Sequence, residues 1–550
     1  MDTSADGLLK LNNEMRSEVS GMVGLWDECG RYCLTRKIQS LNAGSNQTFK
    51  DSSFTPDQKL LNTVAVEANR TLAAGRLSWT TPSDSPWFVW KPAPQLEGSE
   101  ATESWLAKCT EIAQLYLGAS NFYTCVHEAF LDNGTFGTAS LFAEEGRSAP
   151  LNFKTFDVGT FVLGEDESGM VNMVFREIEY TARQAKEVFQ VLPATVESDA
   201  VSNPLNHHRF LHAIYERPES EQNAQGGPAQ KRFASCWVHI ASKMKVKEGG
   251  YDELPTFVMR YLRWSESSPY GASPAMEALA EIRGVNYLEL LVSTKMEVDV
   301  NPRIILPQNY QGAPDLRAGG VTMGGLTRDT YPQEWMSGGR LDYGLEFITR
   351  KERMIQEIFH RPLFDQFAMI ERQITATEVR AREAEKLVRF SPAFTRQTTE
   401  LINPALERVF MLLFRAGKFP PPPREALMQD AYGEWMLLYP RVIQTSRMAL
   451  ALQALKRSAF GSILEYALPL EQAGRPVLDN FELDKAIRDI GRGEGAPDAW
   501  VRESEAVEAT RKARAEAQAQ AQQAEMMAEA MKSKPIAEAG VQAITGQQAA

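Results

Sequence analysis

Apolar residues Leu8, Leu11, Met15, Val19, Met22, Trp26, Cys29 and Cys33 recur at steps of three and four, the period of one helix face. The pattern predicts one long amphipathic helix at the start of the chain. A second helical run covers roughly 57–78 and is stopped by Thr81-Pro-Ser-Asp-Ser-Pro86, ahead of the aromatic cluster Trp87, Phe88 and Trp90. A third is predicted from about 100 to 131, closed by Asn133-Gly134 as a left-handed C-terminal cap. The period then falls to two. Residues 153–163 and 170–180 read as strands joined by the turn Glu165-Asp166-Glu167-Ser168-Gly169. Thr181 with Gln184 makes a capping box for a short helix over 182–189. Further strands are predicted over 209–216, 233–240 and 256–264, with 218–230 as an exposed loop.

From Ser273 the helical period returns. Pro274 suits a first turn, and Met276, Leu279, Ile282, Asn286, Leu290 and Ser293 mark one side of a helix reaching about 300. Between 301 and 339 the glycines 319, 320, 324, 325, 338 and 339 exclude a helix, and only Arg303-Ile-Ile-Leu306 reads as a strand. Another helix is predicted over 343–359, interrupted by Pro362. From Thr375 a very long helix reaches about 416, kinked at Asn403-Pro404 and ended by Gly417 and the four prolines 420–423. The tail from 500 to 532 is rich in Ala, Gln, Glu and Arg, with Glu508 and Lys512 as an i,i+4 pair. A helix with so few large apolar residues needs neighbours in a bundle or ring. The sum is an α+β chain, mainly α.

Charge narrows the function. The 550 residues carry a formal net charge of −12, whereas a protein that coats nucleic acid by neutralising phosphates is basic. A surface that surrounds DNA without gripping it remains compatible. The start, MDTSADGLLK, shows no cationic segment leading into an apolar core, and no run of 18 apolar residues occurs. A soluble, cytosol-assembled protein without a membrane span is expected. Five cysteines with no C-x-x-C pair predict buried thiols rather than disulfides or zinc.

Chemical motifs are tested and rejected in turn. Gly417-Lys418 is followed by Phe419 and lacks the upstream glycine of a phosphate loop. Gly271-Ala-Ser273-Pro lacks the second glycine of a nucleophile elbow, and Gly491-Arg-Gly493-Glu-Gly495 follows no strand. On a helix His208, His212 and Glu216 would share a face, but the sequence there is β-like, and a strand spreads His208 to Glu216 over about 27 Å. Glu165-Asp166-Glu167 reads as a solvated hairpin tip, and the Glu383/Glu385 region as a salt-bridged helix face. No enzyme activity, cofactor or metal is expected.

Several segments, taken in order, resemble the portal (head-to-tail connector) proteins of short-tailed, podovirus-type bacteriophages. They are Thr63-Val-Ala-Val-Glu-Ala-Asn-Arg-Thr-Leu-Ala-Ala-Gly75, then Thr81-Pro with Pro86-Trp87-Phe88, and Asp132-Asn-Gly-Thr-Phe-Gly-Thr-Ala-Ser-Leu141. Arg176-Glu177, Ser268-Pro-Tyr-Gly-Ala-Ser-Pro-Ala-Met-Glu-Ala-Leu-Ala-Glu-Ile-Arg283 and Ile374-Thr-Ala-Thr-Glu-Val-Arg-Ala-Arg-Glu383 follow. None carries chemistry. Ala272 departs from the Tyr-Gly-Arg expected there.

The resemblance implies a portal-type fold with wing, stem, clip and crown, assembled as a ring of usually twelve subunits at the unique capsid vertex. DNA would be packaged through it by a separate terminase motor and later ejected. The implied divisions are 1–272 wing, 273–300 first stem helix, 301–340 clip, 341–362 second stem helix, 363–375 tunnel loop, 376–417 long wing helix, 418–498 wing return and crown, and 499–550 helical tail. Implied partners are other copies of the chain, the terminase large subunit, tail adaptor or nozzle proteins, major capsid and scaffolding proteins, internal core proteins and the passing double-stranded DNA, with assembly in the bacterial host cytoplasm and no membrane. By position, Arg372, Gln373 and Lys351 are the DNA-channel candidates, and Phe364, Phe367 and Met369 the tunnel-loop anchors. Ile304, Ile305, Tyr310 and Trp335 are the clip-interface candidates. Twelve copies would carry about −144 in all, a field that repels phosphate. The alternative is an internal core or scaffolding protein of the phage head, which the helical tail fits and the β-rich middle does not.

Overall fold

The computed structural model describes residues 2–35, 60–93, 99–146, 149–222, 227–266, 268–300, 304–306, 308, 333–334, 341–365, 390–429, 435–437, 439–446 and 448–449. Beyond these it describes 467, 469, 483, 487, 507, 509–514, 516–521 and 523, all of them helical. The chain divides into two compact units, Met1–Leu452 and Gln453–Ala550. In the second, 509–514 and 516–521 are exposed.

In the first unit, α1 (Ala5–Cys33) is opened by Ser4, whose hydroxyl oxygen accepts from the Gly7 N–H at 3.0 Å. Its buried face contains Leu8, Met15, Val19, Trp26, Cys29 and Cys33, as the spacing predicts. The stripe serves three cores in turn. Leu8 and Met15 cover a sheet, Val19 and Trp26 enter the central core, and Cys29 and Cys33 meet Val64, Ala68 and Leu72 of α2 (Val64–Thr80). All five cysteines are buried and unpaired.

The single helix expected over 100–131 is two, α3 (Glu100–Ala119) and α4 (Phe122–Phe136), parted at Ser120-Asn121. The left-handed cap is Gly137, at φ 75°, and not Asn133-Gly134, which stay helical. The reason is that Asn133 is used inside: its amide donates to the carbonyls of Gly137 at 3.1 Å and Met259 at 3.2 Å.

Strand β1 (Phe88–Lys91) precedes these helices, and β2 (Thr138–Glu144) follows them. The strand expected over 153–163 is also two. β3 (Asn152–Phe156) pairs with β2, the chain turns through Gly159 at φ 93°, and β4 (Phe161–Glu165) enters a different sheet. There β4, β5 (Val171–Thr181), β6 (His207–Glu216), β7 (Phe233–His239) and β8 (Met244–Tyr251) form an antiparallel meander in that order. The meander is covered on both faces. Leu211, Ala213 and Tyr215 pack under α1, while Phe210 meets Val196 and Phe189 around α5 (Ala182–Val188) and α6 (Ala194–Ser202). The Thr181–Gln184 capping box opens α5. β9 (Thr256–Arg260) returns to β2, and the short β10 (Leu262–Arg263) and β11 (Gly271–Ala272) pair with each other.

Ser273 caps α7 (Pro274–Glu277), accepting from the Met276 N–H at 3.0 Å, with Pro274 in the first turn. The path continues as α8 (Leu279–Val300), passes β12 (Ile304–Ile305) and β13 (Gln333–Glu334), which pair, and returns antiparallel as α9 (Leu341–Ile358). Pro362 starts rather than ends a helix. The chain bends at His360, φ 54°, and α10 (Arg361–Asp365) follows. Past helix 390–396 lies a π-helical turn, Gln397–Ile402, and then α11 (Asn403–Arg415), stopped by Gly417 at φ 63°. This turn is the form taken by the kink expected at Asn403-Pro404. Pro404 has no N–H for the Glu400 carbonyl and its ring would crowd that oxygen. Widening the turn by one residue removes both conflicts, and the Asn403 N–H bonds to the Thr398 carbonyl, five residues back. β14 (Leu427–Gln429) and β15 (Trp435–Leu437) pair, and β16 (Arg441–Gln444) closes the unit on β1.

Candidate assembly face and channel residues

The α8–α9 hairpin buries one side and leaves an apolar side uncovered. Val285 and Val292 on α8 and Ile348 and Ile355 on α9 are buried. Opposite them on α8 stand Tyr287, Leu290, Leu291 and Thr294, an i, i+3, i+4, i+7 stripe in which Tyr287 is 61% exposed. Down α9 run Tyr343, Phe347, Arg350 and Met354, away from Ile348 and Ile355, with Tyr343 also 61% exposed. Apolar stripes of this kind on a folded chain mark a surface that another protein covers.

The candidates read from the sequence fall unevenly. Lys351 sits inside the hairpin: its Nζ lies 2.5 Å from a Glu281 carboxylate oxygen and 5.5 Å from the centre of the Phe347 ring. The exposed cations of α9 are its neighbours Arg350 and Arg353. Phe364, on α10, packs edge-on to Trp79 at 6.4 Å and to Phe390 at 5.9 Å. Ile304 is half-buried and Ile305 exposed on β12. Arg372, Gln373, Phe367, Met369, Tyr310 and Trp335 lie outside the described residues.

Three of the segments that carried the resemblance, 63–75, 132–141 and 268–283, meet at one buried junction. Asn69 donates to the Leu131 carbonyl at 3.1 Å and to the Thr135 hydroxyl at 2.9 Å. Ser273 donates to the Thr135 carbonyl at 2.8 Å, and the Gly271 N–H to the Thr138 hydroxyl at 2.9 Å. Gly137 and Gly271 touch backbone to backbone, so a Cβ on Gly137 would fall 2.2 Å from the Gly271 carbonyl oxygen. Arg76 is fully buried. It donates to Gln397 at 3.0 Å, to Asn133 at 2.7 Å and to the Met259 sulfur at 3.2 Å, and lies 4.6 Å from the centre of the Phe130 ring. Burial pulls its guanidinium down to about 10. A signal for it was present, since Arg76 continues the buried stripe of Ala65, Ala68, Leu72 and Ala73 on α2.

Two acidic and histidine readings need correction or placement. Glu165 is not a solvated tip: it pairs with buried Arg260 and, at 2.7 Å, with Arg263. Arg260 also binds Glu400 at 2.7 Å through its guanidinium and at 2.8 Å through its backbone N–H. Of the histidines on β6, His212 is buried, stacked 4.0 Å from Trp237 and 2.9 Å from the Ser235 hydroxyl. Burial, then Arg176 and Lys247, push it down to about 3. His208 instead faces Asp199 at 3.0 Å.

A family model described as bacteriophage head to tail connecting protein matches residues 5–501. A probable portal protein of Bordetella phage BPP-1 is 25% identical over 540 residues, 94% of this chain and 93% of that protein. The portal protein of Salmonella phage epsilon15 is 22% identical over 549 residues, 98% of this chain and 96% of that one. Among solved structures, a chain from the virion of a native gene transfer agent particle aligns over 73% of this chain and 85% of its own, at 12% identity and a TM-score of 0.32. A chain from the neck of an empty gene transfer agent particle, computed with C6 symmetry, covers 64% and 76% at 12% identity and a TM-score of 0.30. At such scores the likeness does not bear on the fold.

Proposed function

The chain belongs to the bacteriophage head-to-tail connecting protein family, and from that premise we infer that it is a portal protein. It is a structural connector of the virion, seated at the capsid vertex, and not an enzyme. Copies of the chain associate with one another, and we propose that they do so as a closed ring, the wing, stem, clip and crown taking the residue ranges given above. The observation that carries this reading is the pair of uncovered apolar stripes on the α8–α9 hairpin. A rotating neighbour is the simplest cover for such a face, because a heterologous contact repeated around an axis closes without leaving the face bare.

In this reading DNA passes along the axis, driven by a terminase large subunit docked at the clip, where Ile304, Ile305, Tyr310 and Trp335 would serve neighbouring clips and tail adaptors. Capsid, scaffolding and internal core proteins would meet the outer parts. The acidic balance, −12 per chain, lets phosphate slide rather than stick. Cationic contact would be confined to a collar of Arg372 with Gln373, on a loop anchored by Phe364, Phe367 and Met369. Negative-stain microscopy of the purified chain tests the assembly: rings with a central hole are expected. Isolated rods would favour a core or scaffolding protein, and monomers alone would overturn the ring.

A further inference from the structure

The π turn Gln397–Ile402 joins two ordinary helical segments and is held from the inside by two side chains. Gln397 accepts from Arg76 at 3.0 Å and donates to the Thr80 hydroxyl at 2.7 Å. Glu400 accepts from the Arg260 backbone and guanidinium, and from Arg396 at 3.0 Å. These contacts differ in kind. Glu400 and Arg260 match charge with charge, and Glu165 extends the match to the β4–β5 hairpin. Among the described residues, the hydrogen-bond acceptors of Arg76 are two side-chain amides and a thioether, so its burial is costly for the folded state.

On the solvent side, two threonine hydroxyls bond carbonyls four residues back. The Thr395 hydroxyl donates to the Ser391 carbonyl at 3.0 Å, and the Thr399 hydroxyl to the Thr395 carbonyl at 3.0 Å. The Thr399 hydroxyl thereby supplements the Thr395 carbonyl, whose backbone partner differs between α and π winding. At Phe390, the first described residue of helix 390–396, the ring packs on Phe364 at 5.9 Å and on His360 at 5.5 Å, beside the end of α9. The described part of this helix therefore links the Phe364–His360 contact to the buried junction.

We propose that Gln397–Ile402 is a register joint: a slip of this turn from π to α rotates helix 390–396 about its own axis. Glu400 on Arg260, with Gln397 on Arg76, is the latch that holds the observed register. One residue of register is about 100° of turn and about 1.5 Å of rise. With α11 fixed, the extra winding carries Ala393, now buried, outward and Thr395, now exposed, inward. Stem movement and the hairpin that bears Glu165 are thereby coupled through a two-state element.

Two introduced thiols test this in the purified full-length chain, whether or not it forms rings. The native thiols are buried, with Cys29 and Cys109 pushed up to about 12, so a maleimide reports on the new ones. With Glu400 intact, Thr395→Cys should react quickly and Ala393→Cys slowly. Adding Glu400→Gln, which weakens the latch without changing its size, should raise reactivity at 393 about tenfold and lower it at 395. Pro404→Ala restores the missing N–H and should move both sites the same way; it decides alone if Glu400→Gln does not fold. A rise at both sites together means local unfolding, and no change at either means a rigid turn. Each of those two results overturns the joint.

Discussion

Replacing Phe347 by glutamate should dissolve the assembly and leave the subunit folded. The ring of Phe347 is 47% exposed on the outer stripe of α9. A phenylalanine side chain presents about 200 Å² to water, so covering the exposed half removes about 90 Å², or about 2 kcal/mol at 25 cal/mol per Å². Glutamate forfeits that term and sets a carboxylate against an apolar neighbour, for roughly another 1–3 kcal/mol. Its proximity to Lys351 offsets about 0.5 kcal/mol at most. A net loss of about 4 kcal/mol weakens each contact about a thousandfold, and a closed ring makes the contact at every subunit. The subunit itself loses little, since exposed positions usually change stability by about 0.5 kcal/mol or less. Mass photometry at one fixed concentration, with circular dichroism alongside, reads both quantities. Lys108→Glu, an exposed change on α3, controls for charge alone. Wild-type rings from Phe347→Glu at the wild-type concentration would refute the assignment of this face.

Three other outcomes are expected. Gly137→Ala should cost about 3 kcal/mol or more, from a left-handed backbone and a clash with the Gly271 carbonyl, whereas Gly417→Ala, with φ 63° and nothing within 4 Å, should cost about 1 kcal/mol; equal falls in apparent melting midpoint would remove the steric part of the argument. His212 is held neutral by burial, with its pKa depressed to about 3, so its contribution to stability is complete above about pH 6.5 and is lost as pH falls toward 3, because the unfolded chain takes the proton first. His212→Gln should flatten the fall of melting temperature between pH 7 and 4, and an unchanged slope would count against it. Arg372→Ala should leave rings intact but reduce retention of packaged DNA, most at low salt where the phosphate contact is least screened, and retention equal to wild type at every salt concentration would discard the collar.

Legibility followed the range of the forces involved. The α1 stripe, the Thr181–Gln184 box and the Ser273-Pro274 start are set by neighbours within four residues, and the sequence shows each of them. β2 carries no strand signal, because Thr138–Ala143 is buried on both faces and so lacks the alternation that reveals a strand. Glu165 reads locally as a loop carboxylate because its partner Arg260 is 95 residues away. Arg76 fell on a legible apolar stripe, yet its acceptors come from α4, β9 and the π turn, which no local pattern joins. The outer stripes of α8 and α9 had the opposite problem. Their spacing was visible, but only the structure separates the apolar residues that the subunit buries from those it leaves for a neighbour.

The pairing of β1 with β16 has a consequence for the order in which the subunit is made. Phe88 bonds opposite Gln444, so the central core stays open at one edge until the ribosome has passed residue 444. At about 5–20 residues per second, the wait between the two strands is roughly 20–70 s. Residues 279–358, with the whole uncovered hairpin, emerge within that interval. Each nascent chain thus displays its adhesive surface before its own body is sealed, and neighbouring chains on one message display the same surface at the same time. Slow initiation, which spaces ribosomes apart, would favour sealed monomers over tangled ones. For the proposed ring, the timing of translation would then bear on yield alongside affinity.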